Sequence, residues 1–276
     1  MRLRYFKMLG AGNRILVVDQ RDENLPPPPA SDLRRLASDK SGPGFDQLMW
    51  VGPPRDPSAA ASYRVFNADG SEVEQCGNGA RCVVSLLARE DDTQRRYTLE
   101  SPAGLIEATL VDGENVAVNM GPPEFDPERV PFVAPARQER YQIEVAGQTV
   151  EASVLSMGNP HCVLQVDDVA TAAVGELGPA LERHERFPAA ANIGFMCVRD
   201  RENIDLRVHE RGVGETLACG TGACAAVVAG QRLGQLGERV AVQLPGGQLM
   251  VSWRGGAEPV WLIGNAELIG EGTIDL

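Results

Sequence analysis

The sequence predicts a mixed α+β chain of two pseudo-symmetric domains, each a closed, mainly antiparallel sheet around a buried central helix. Three observations predict it. A cysteine motif occurs twice, as Glu72-Val73-Glu74-Gln75-Cys76-Gly77-Asn78-Gly79-Ala80 and Glu215-Thr216-Leu217-Ala218-Cys219-Gly220-Thr221-Gly222-Ala223, 143 positions apart. Other landmarks repeat in the same order: Pro102-Ala103-Gly104 with Pro245-Gly246-Gly247, Gly121 with Gly264, Asn67 with Glu210, and Met8-Leu9-Gly10-Ala11-Gly12-Asn13 with Ser156-Met157-Gly158-Asn159. The period is too long for a solenoid unit and suits a duplicated domain. Finally, each motif runs into a helical stretch that is apolar nearly all round, the mark of a buried helix.

The elements follow in order. Residues 3–9 and 15–19 read as strands, with Gly10-Ala11-Gly12-Asn13 between them, and the prolines at 26–29 form a loop. A short helix spans 31–38 with Ser31 as its N-cap. A strand at 63–67 leads into the turn Ala68-Asp69-Gly70-Ser71. The first buried helix covers 79–89 and is followed by a meander of strands at 98–100, 105–110 and 115–119. Pro122-Pro123 marks the domain boundary. The second half has a hairpin at 142–145 and 149–154 about Gly147, a strand at 162–166, a helix within 168–183 and a strand at 204–209. The second buried helix covers 222–233, with strands at 239–244, 248–253 and 259–263. The tail after Gly264 is expected to return as the last strand of the first domain. That gives one domain of 1–120 plus 265–276, carrying Cys76, and one of 121–264, carrying Cys219.

Composition narrows the function. The 276 residues suffice for two cores, and 43 % hydrophobic content is ordinary for a globular protein. A net charge of −12 argues against nucleic acid as a partner. The N-terminal Met1-Arg2-Leu3-Arg4-Tyr5-Phe6-Lys7 reaches glycine before a signal-peptide core can form, and no apolar run has the length of a membrane span. A cytoplasmic protein without a membrane partner is expected, so the six cysteines should be reduced. A zinc site from Cys76, Cys82, Cys219 and Cys224 is disfavoured, because Cys82 and Cys224 fall inside apolar helical stretches where a buried structural cysteine is usual. No metal is expected.

Each motif places a cysteine where a loop turns into a helix, and the positive end of the helix dipole favours thiolate there. Gly77 and Gly220 allow close backbone approach, and the unpaired N–H groups suit a carboxylate. With that carboxylate held, its α-carbon can lie between two sulfurs, one taking a proton and the other returning one from the opposite face. The same donors stabilise the charge that grows as the α-proton leaves. Most amino-acid racemases instead use pyridoxal phosphate on a lysine. Only Lys7 and Lys40 are present, neither in a phosphate-binding context, so no cofactor is expected. Asn13, Asn67, Asn159 and Asn192 read as turn residues or as a polar pocket for a zwitterion, and their recurrence near the landmarks favours the pocket. His161 reads equally as a strand cap or a functional group, Glu210-Arg211-Gly212 as a surface ion pair beside a turn, and His184, in the charged run 182–186, as solvated.

The stretch from Phe66 to Cys82 resembles the signature of the diaminopimelate epimerase family. Gly44-Phe45-Asp46-Gln47, Val118-Asn119-Met120-Gly121, Ser156-Met157-Gly158-Asn159-Pro160-His161-Cys162, Glu210-Arg211-Gly212, Ala218 to Cys224 and Leu244-Pro245-Gly246-Gly247 match in order. The resemblance implies a pyridoxal-independent isomerase, a homodimer, that interconverts LL- and meso-diaminopimelate in lysine and cell-wall precursor synthesis. It implies Cys76 and Cys219 as the catalytic pair. It implies substrate contacts from Asn13, Gln47, Asn67, Gly77, Asn78, Asn159, Asn192, Glu210, Arg211, Gly220 and Thr221. His161 and Glu210 would tune the thiols, and Arg211 would hold the distal carboxylate. The chain departs from the family pattern at Arg14-Ile15, at Asp39-Lys40-Ser41-Gly42 and at Gly270. A proline or hydroxyproline racemase is the nearest alternative enzyme, although its ring substrate has no second charged end. A phenazine-type isomerase shares the fold without the paired cysteines, and a redox-sensing binding protein is the alternative outside enzymology.

Overall fold

Parallel strands need long crossovers, usually helical, and the computed structural model has, among its described residues, four such crossovers, two in each half. It describes residues 2–73, 76–91 and 93–275. The chain divides into two compact units, one of residues 1–119 and 263–276 and one of residues 120–262.

In the first unit, β1 (Arg2–Gly10) and β2 (Asn13–Asp19) form an antiparallel hairpin. Its two turn residues, Ala11 and Gly12, both have positive φ, 50° and 85°, as a two-residue hairpin turn with the right twist requires. The turn sets Asn13 at the head of β2. The chain crosses through α1 (Ala30–Ala37) to β3 (Gln47–Gly52), which lies parallel to β2. Leu33 and Leu36 of α1 pack on Leu16, Val18, Leu48 and Trp50, closing one core. Strands β4 (Ala61–Asn67) and the short β5 (Glu72–Val73) follow antiparallel. The second crossover is α2 (Gly77–Leu87), and it delivers β6 (Arg96–Ser101) parallel to β4. Antiparallel β7 (Gly104–Leu110) and β8 (Asn115–Asn119) complete the run. Every residue of α2 except Ser85 is buried, which makes it the central helix.

The second unit repeats this plan. Strands β9 (Tyr141–Val145), β10 (Gln148–Ser156) and β11 (Pro160–Gln165) are antiparallel neighbours. Helix α3 (Val174–Glu182) carries the chain to β12 (Asn192–Val198), parallel to β11. Antiparallel β13 (Asn203–Glu210) and short β14 (Gly214–Thr216) precede α4 (Gly220–Arg232), whose stretch 222–230 is wholly buried. Strand β15 (Arg239–Leu244) then lies parallel to β13, with β16 (Gly247–Ser252) antiparallel beside it.

The chain leaves the second unit along β17 (Trp261–Asn265) and ends in β18 (Glu267–Asp275). Strand β18 pairs antiparallel with β1 from Arg2 to Leu9, and just before it the Ala266 N–H donates to the Glu114 carbonyl at the start of β8. The C-terminal segment thereby joins the first strand of its sheet to the last, and the sheet closes. The fold is the mixed α+β class the sequence predicts.

Particular expectations need correction. Pro29, not Ser31, is the N-cap of α1, and no side chain caps it; proline's fixed φ suits the entry to a helix. Both central helices start two residues earlier than expected, because Gly77 and Gly220 already belong to the first turn. Strands β3 and β12 were not anticipated. Each lies between a parallel and an antiparallel neighbour, and four of the six residues of β3 and six of the seven of β12 are buried, so neither shows the alternation of a half-exposed strand. Among the described residues no helix is long and apolar enough to cross a membrane.

Candidate active site

In the first unit the site grows from the start of α2. Cys76 is the N-cap, extended at φ −142° and ψ 108°, and its Sγ accepts the Gly79 N–H at 3.2 Å. Gln47 and Asn67 sit opposite each other on β3 and β4. The Cys76 Sγ–H donates to Gln47 Oε1 at 2.8 Å, and Gln47 Nε2 donates to Asn67 Oδ1 at 3.0 Å. Beyond Asn67, its Nδ2 donates to Ser71 Oγ at 3.1 Å, and Ser71 Oγ donates to Asp69 Oδ1 at 2.6 Å. Glu74 and Gln75 of the cysteine motif lie outside the described residues.

Asn13 and Gln47 are set by a clamp between them. Arg14 reaches both carboxylate oxygens of Asp39 and one of Asp46, while its backbone exchanges hydrogen bonds with Asp46. Two of the departures from the family pattern, Arg14 and Asp39, are thus partners of each other. Asn78 is 3 % exposed, and its Oδ1 accepts from the Arg81 guanidinium inside the unit. Its side chain is spent on the scaffold, which leaves its backbone N–H as the group able to meet a ligand. Arg81 itself, wholly buried, escaped the sequence reading because the surrounding run is apolar.

In the second unit, Cys219 is the N-cap of α4 in nearly the same conformation, φ −127° and ψ 109°, and is 4 % exposed. Its Sγ lies 3.6 Å from Thr221 Oγ1. Asn159 Nδ2 donates to Thr221 Oγ1 at 3.4 Å, and Asn159 Oδ1 faces His161 Nε2 at 3.0 Å. With the amide so oriented, Nε2 carries the imidazole proton. Burial, helped by the Arg211 charge, pushes the His161 pKa down to about 3, so the ring is neutral. His161 therefore reaches Cys219 only through Asn159 and Thr221. Burial also pushes the Cys219 thiol well up, and the neighbouring Glu210 carboxylate adds to this, against the helix-start Gly222 N–H and Thr221, which favour thiolate. Glu210 in turn accepts a short hydrogen bond from Thr216.

Asn192 spans two segments. Its Nδ2 donates to the Pro160 carbonyl, and its Oδ1 accepts the Arg211 N–H, both at 3.0 Å. The Arg211 guanidinium is exposed and donates to the Ala189 carbonyl. Below this loop, Glu182 accepts from His209 Nε2 at 2.7 Å and from the Gly212 N–H at 2.9 Å. Glu182, in the charged run 182–186, is buried; its partner is 27 positions away, and nothing local announces it. His184, two residues on, is half-buried and bonds the Glu144 carbonyl.

Burial disfavours the Glu182 carboxylate, but the bonds from His209 and Gly212 outweigh it and hold the pKa below the usual carboxylate range. The unfolded chain therefore binds a proton first on acidification. Stability from this pair is complete above the ordinary glutamate pKa and is lost as pH falls through the folded value. Glu182→Gln is expected to flatten the acid limb of the unfolding free energy, measured by denaturant titration from neutral pH downward. An unchanged slope would count against the pair as an anchor.

Cys82 and Cys162 are different in kind. Burial pushes each thiol up to about 12, as it pushes Cys219 up, but neither has the helix-start N–H and hydroxyl contacts that favour thiolate at Cys219. Cys76 and Cys219 alone cap the two central helices.

A family model described as diaminopimelate epimerase matches residues 5–125 and 153–269. Solved structures share the fold. A predicted epimerase from Pseudomonas aeruginosa superposes with a TM-score of 0.71 at 18 % identity, over 99 % of each chain. A probable proline racemase from Agrobacterium radiobacter K84, with bound carbonate, gives 0.70 at 18 %, over 99 % of this chain and 93 % of that one. A phenazine biosynthesis protein of the PhzF family from Bacillus anthracis gives 0.66 at 16 %, over the whole of both.

Proposed function

This chain belongs to the diaminopimelate epimerase family and is an isomerase, and from that premise we propose that it interconverts LL- and meso-2,6-diaminopimelate without a cofactor. Cys76 and Cys219 act on the same α-carbon. One sulfur, as thiolate, takes the α-proton, and the other, as thiol, delivers its proton to the opposite face. Inversion leaves the two sulfurs with exchanged protonation states. The observation that carries this reading is the matched pair of caps, each cysteine extended before a buried helix with glycine next to it.

The helix-start N–H groups of Gly77, Asn78, Gly220 and Thr221 hold the α-carboxylate and the charge that develops on it. Asn13, Gln47, Asn67, Asn159 and Asn192 orient the zwitterion. Glu210 meets an ammonium group, and Arg211 the distal carboxylate. The same reading makes the enzyme a cytoplasmic homodimer with no nucleic-acid or membrane partner.

The test is deuterium exchange. LL-diaminopimelate incubated in D2O without pyridoxal phosphate should yield the meso isomer carrying solvent deuterium at the inverted carbon. Preferential turnover of L-proline would favour a proline racemase. No exchange with either would favour a binding protein.

A further inference from the structure

The polar chain leading away from Cys76 has a direction, and a carboxylate at its far end sets it. Asp69 Oδ1 accepts both the hydroxyl and the backbone N–H of Ser71. An ionised carboxylate has no proton to give, and the Ser71 hydrogen bonds hold the Asp69 pKa below its usual value. Ser71 must therefore spend its one proton on Asp69 and present a lone pair to Asn67. Asn67 answers with its Nδ2, which turns its Oδ1 toward Gln47. Gln47 answers with its Nε2, which turns its Oε1 toward Cys76. The sulfur is left to donate. Each amide has only two faces, so fixing one end fixes them all.

We propose that Asp69 and Ser71 are positioning residues that set the direction of this chain and so hold Cys76 as a proton-bearing thiol before substrate arrives. The assignment rests on the proposed function for its catalytic meaning, since Gln47 and Asn67 are there substrate contacts. A ligand that takes up the Gln47 amide removes the acceptor from the Cys76 thiol. The Gly79 N–H, a donor that favours thiolate, remains on the sulfur. Substrate binding thereby favours loss of that thiol proton to solvent, leaving Cys76 as thiolate. The second unit is built the other way round: its chain begins at a donor, the His161 Nε2–H, and runs through Asn159 to Thr221, whose proton is free for Cys219.

The experiment reads the thiol without using substrate. Cys76 alkylation by iodoacetamide is followed against pH by peptide mass spectrometry, which separates it from the other cysteines. Among the described residues, Tyr63 on β4 and Cys82 on α2 respond to charge on Cys76, and burial keeps both neutral. Ser71→Ala frees the Asn67 and Gln47 amides to turn. The Gln47 N–H₂ group can then face the sulfur, and one hydrogen bond gained by the thiolate speeds alkylation near neutral pH about three- to tenfold. Ser71→Thr keeps the hydroxyl and should react like the wild type. Asp69→Ala should move in the same direction as Ser71→Ala. A Ser71→Ala rate equal to or below the wild-type rate would overturn the proposal, as would an equal rise in Ser71→Ala and Ser71→Thr. If the wild type fails to epimerise diaminopimelate while the alkylation pattern holds, the functional reading falls and the direction of the chain stands.

Discussion

Cys76→Ala and Cys219→Ala are each expected to lower epimerisation by about a thousandfold or more, within the range general acid–base groups supply. Inversion needs a proton carrier on each face, so neither sulfur can stand in for the other. The fold should survive both changes. Cys76 contributes a single cap contact to α2, and losing a cap costs about 1 kcal/mol. Cys219 makes no cap contact with its side chain. Circular dichroism and thermal melting check this while a coupled assay follows turnover. A variant with one sulfur can still remove and return a proton on one face. Residual exchange in D2O should therefore be confined to one stereoisomer, and to the opposite one in the other variant. Retention of more than about a tenth of the wild-type rate, a barrier change under roughly 1.4 kcal/mol, would sink the two-thiol mechanism.

Arg211→Met is expected to lower kcat/KM for diaminopimelate by about tenfold to a few hundredfold, the loss of a charge-assisted hydrogen bond to a carboxylate. The guanidinium is exposed and tied only loosely, to the Ala189 carbonyl, so little stability should go with it. Its backbone is the fixed part, held by Asn192 on one side and, through Gly212, by Glu182 on the other. Arg211→Lys should recover little, because an ammonium lacks the planar fork. The decisive comparison is diaminopimelate against a substrate with no distal carboxylate, such as lysine. A loss shared equally by both would show that Arg211 does not read the second head of the substrate.

What was legible in the sequence was what repeats or what is local. The duplicated Cys-Gly-x-Gly-Ala motif located both helix starts to within two residues, because a cap and its glycines are written in consecutive positions. Strands with one wet face, such as β9 and β15, announce themselves by alternation. Strand β3, Gln47-Leu48-Met49-Trp50-Val51-Gly52, does not, since burial on both faces removes the alternation. The family resemblance names positions but not the use of each side chain. Asn78 turns inward to Arg81, and His161 is linked to Cys219 through Asn159 and Thr221. Glu182 and Arg81 were missed for one reason: a charge among polar neighbours or in an apolar run looks the same whether solvated or paired inside. Only the partner distinguishes them, and the partner is remote in sequence.

The closing strand β18 also imposes an order of events at the ribosome. The second unit is a single continuous stretch, complete once residue 262 has been made, whereas the first is assembled from the stretches on either side of it. Nascent chains usually mature from the N-terminus onward. Here the sheet that β1 begins must wait for β18, with the outer edge of β1 unpaired and open to association with other chains in the meantime. The later-made unit can thus finish folding first, and the synthesis of β18 then seals the earlier one.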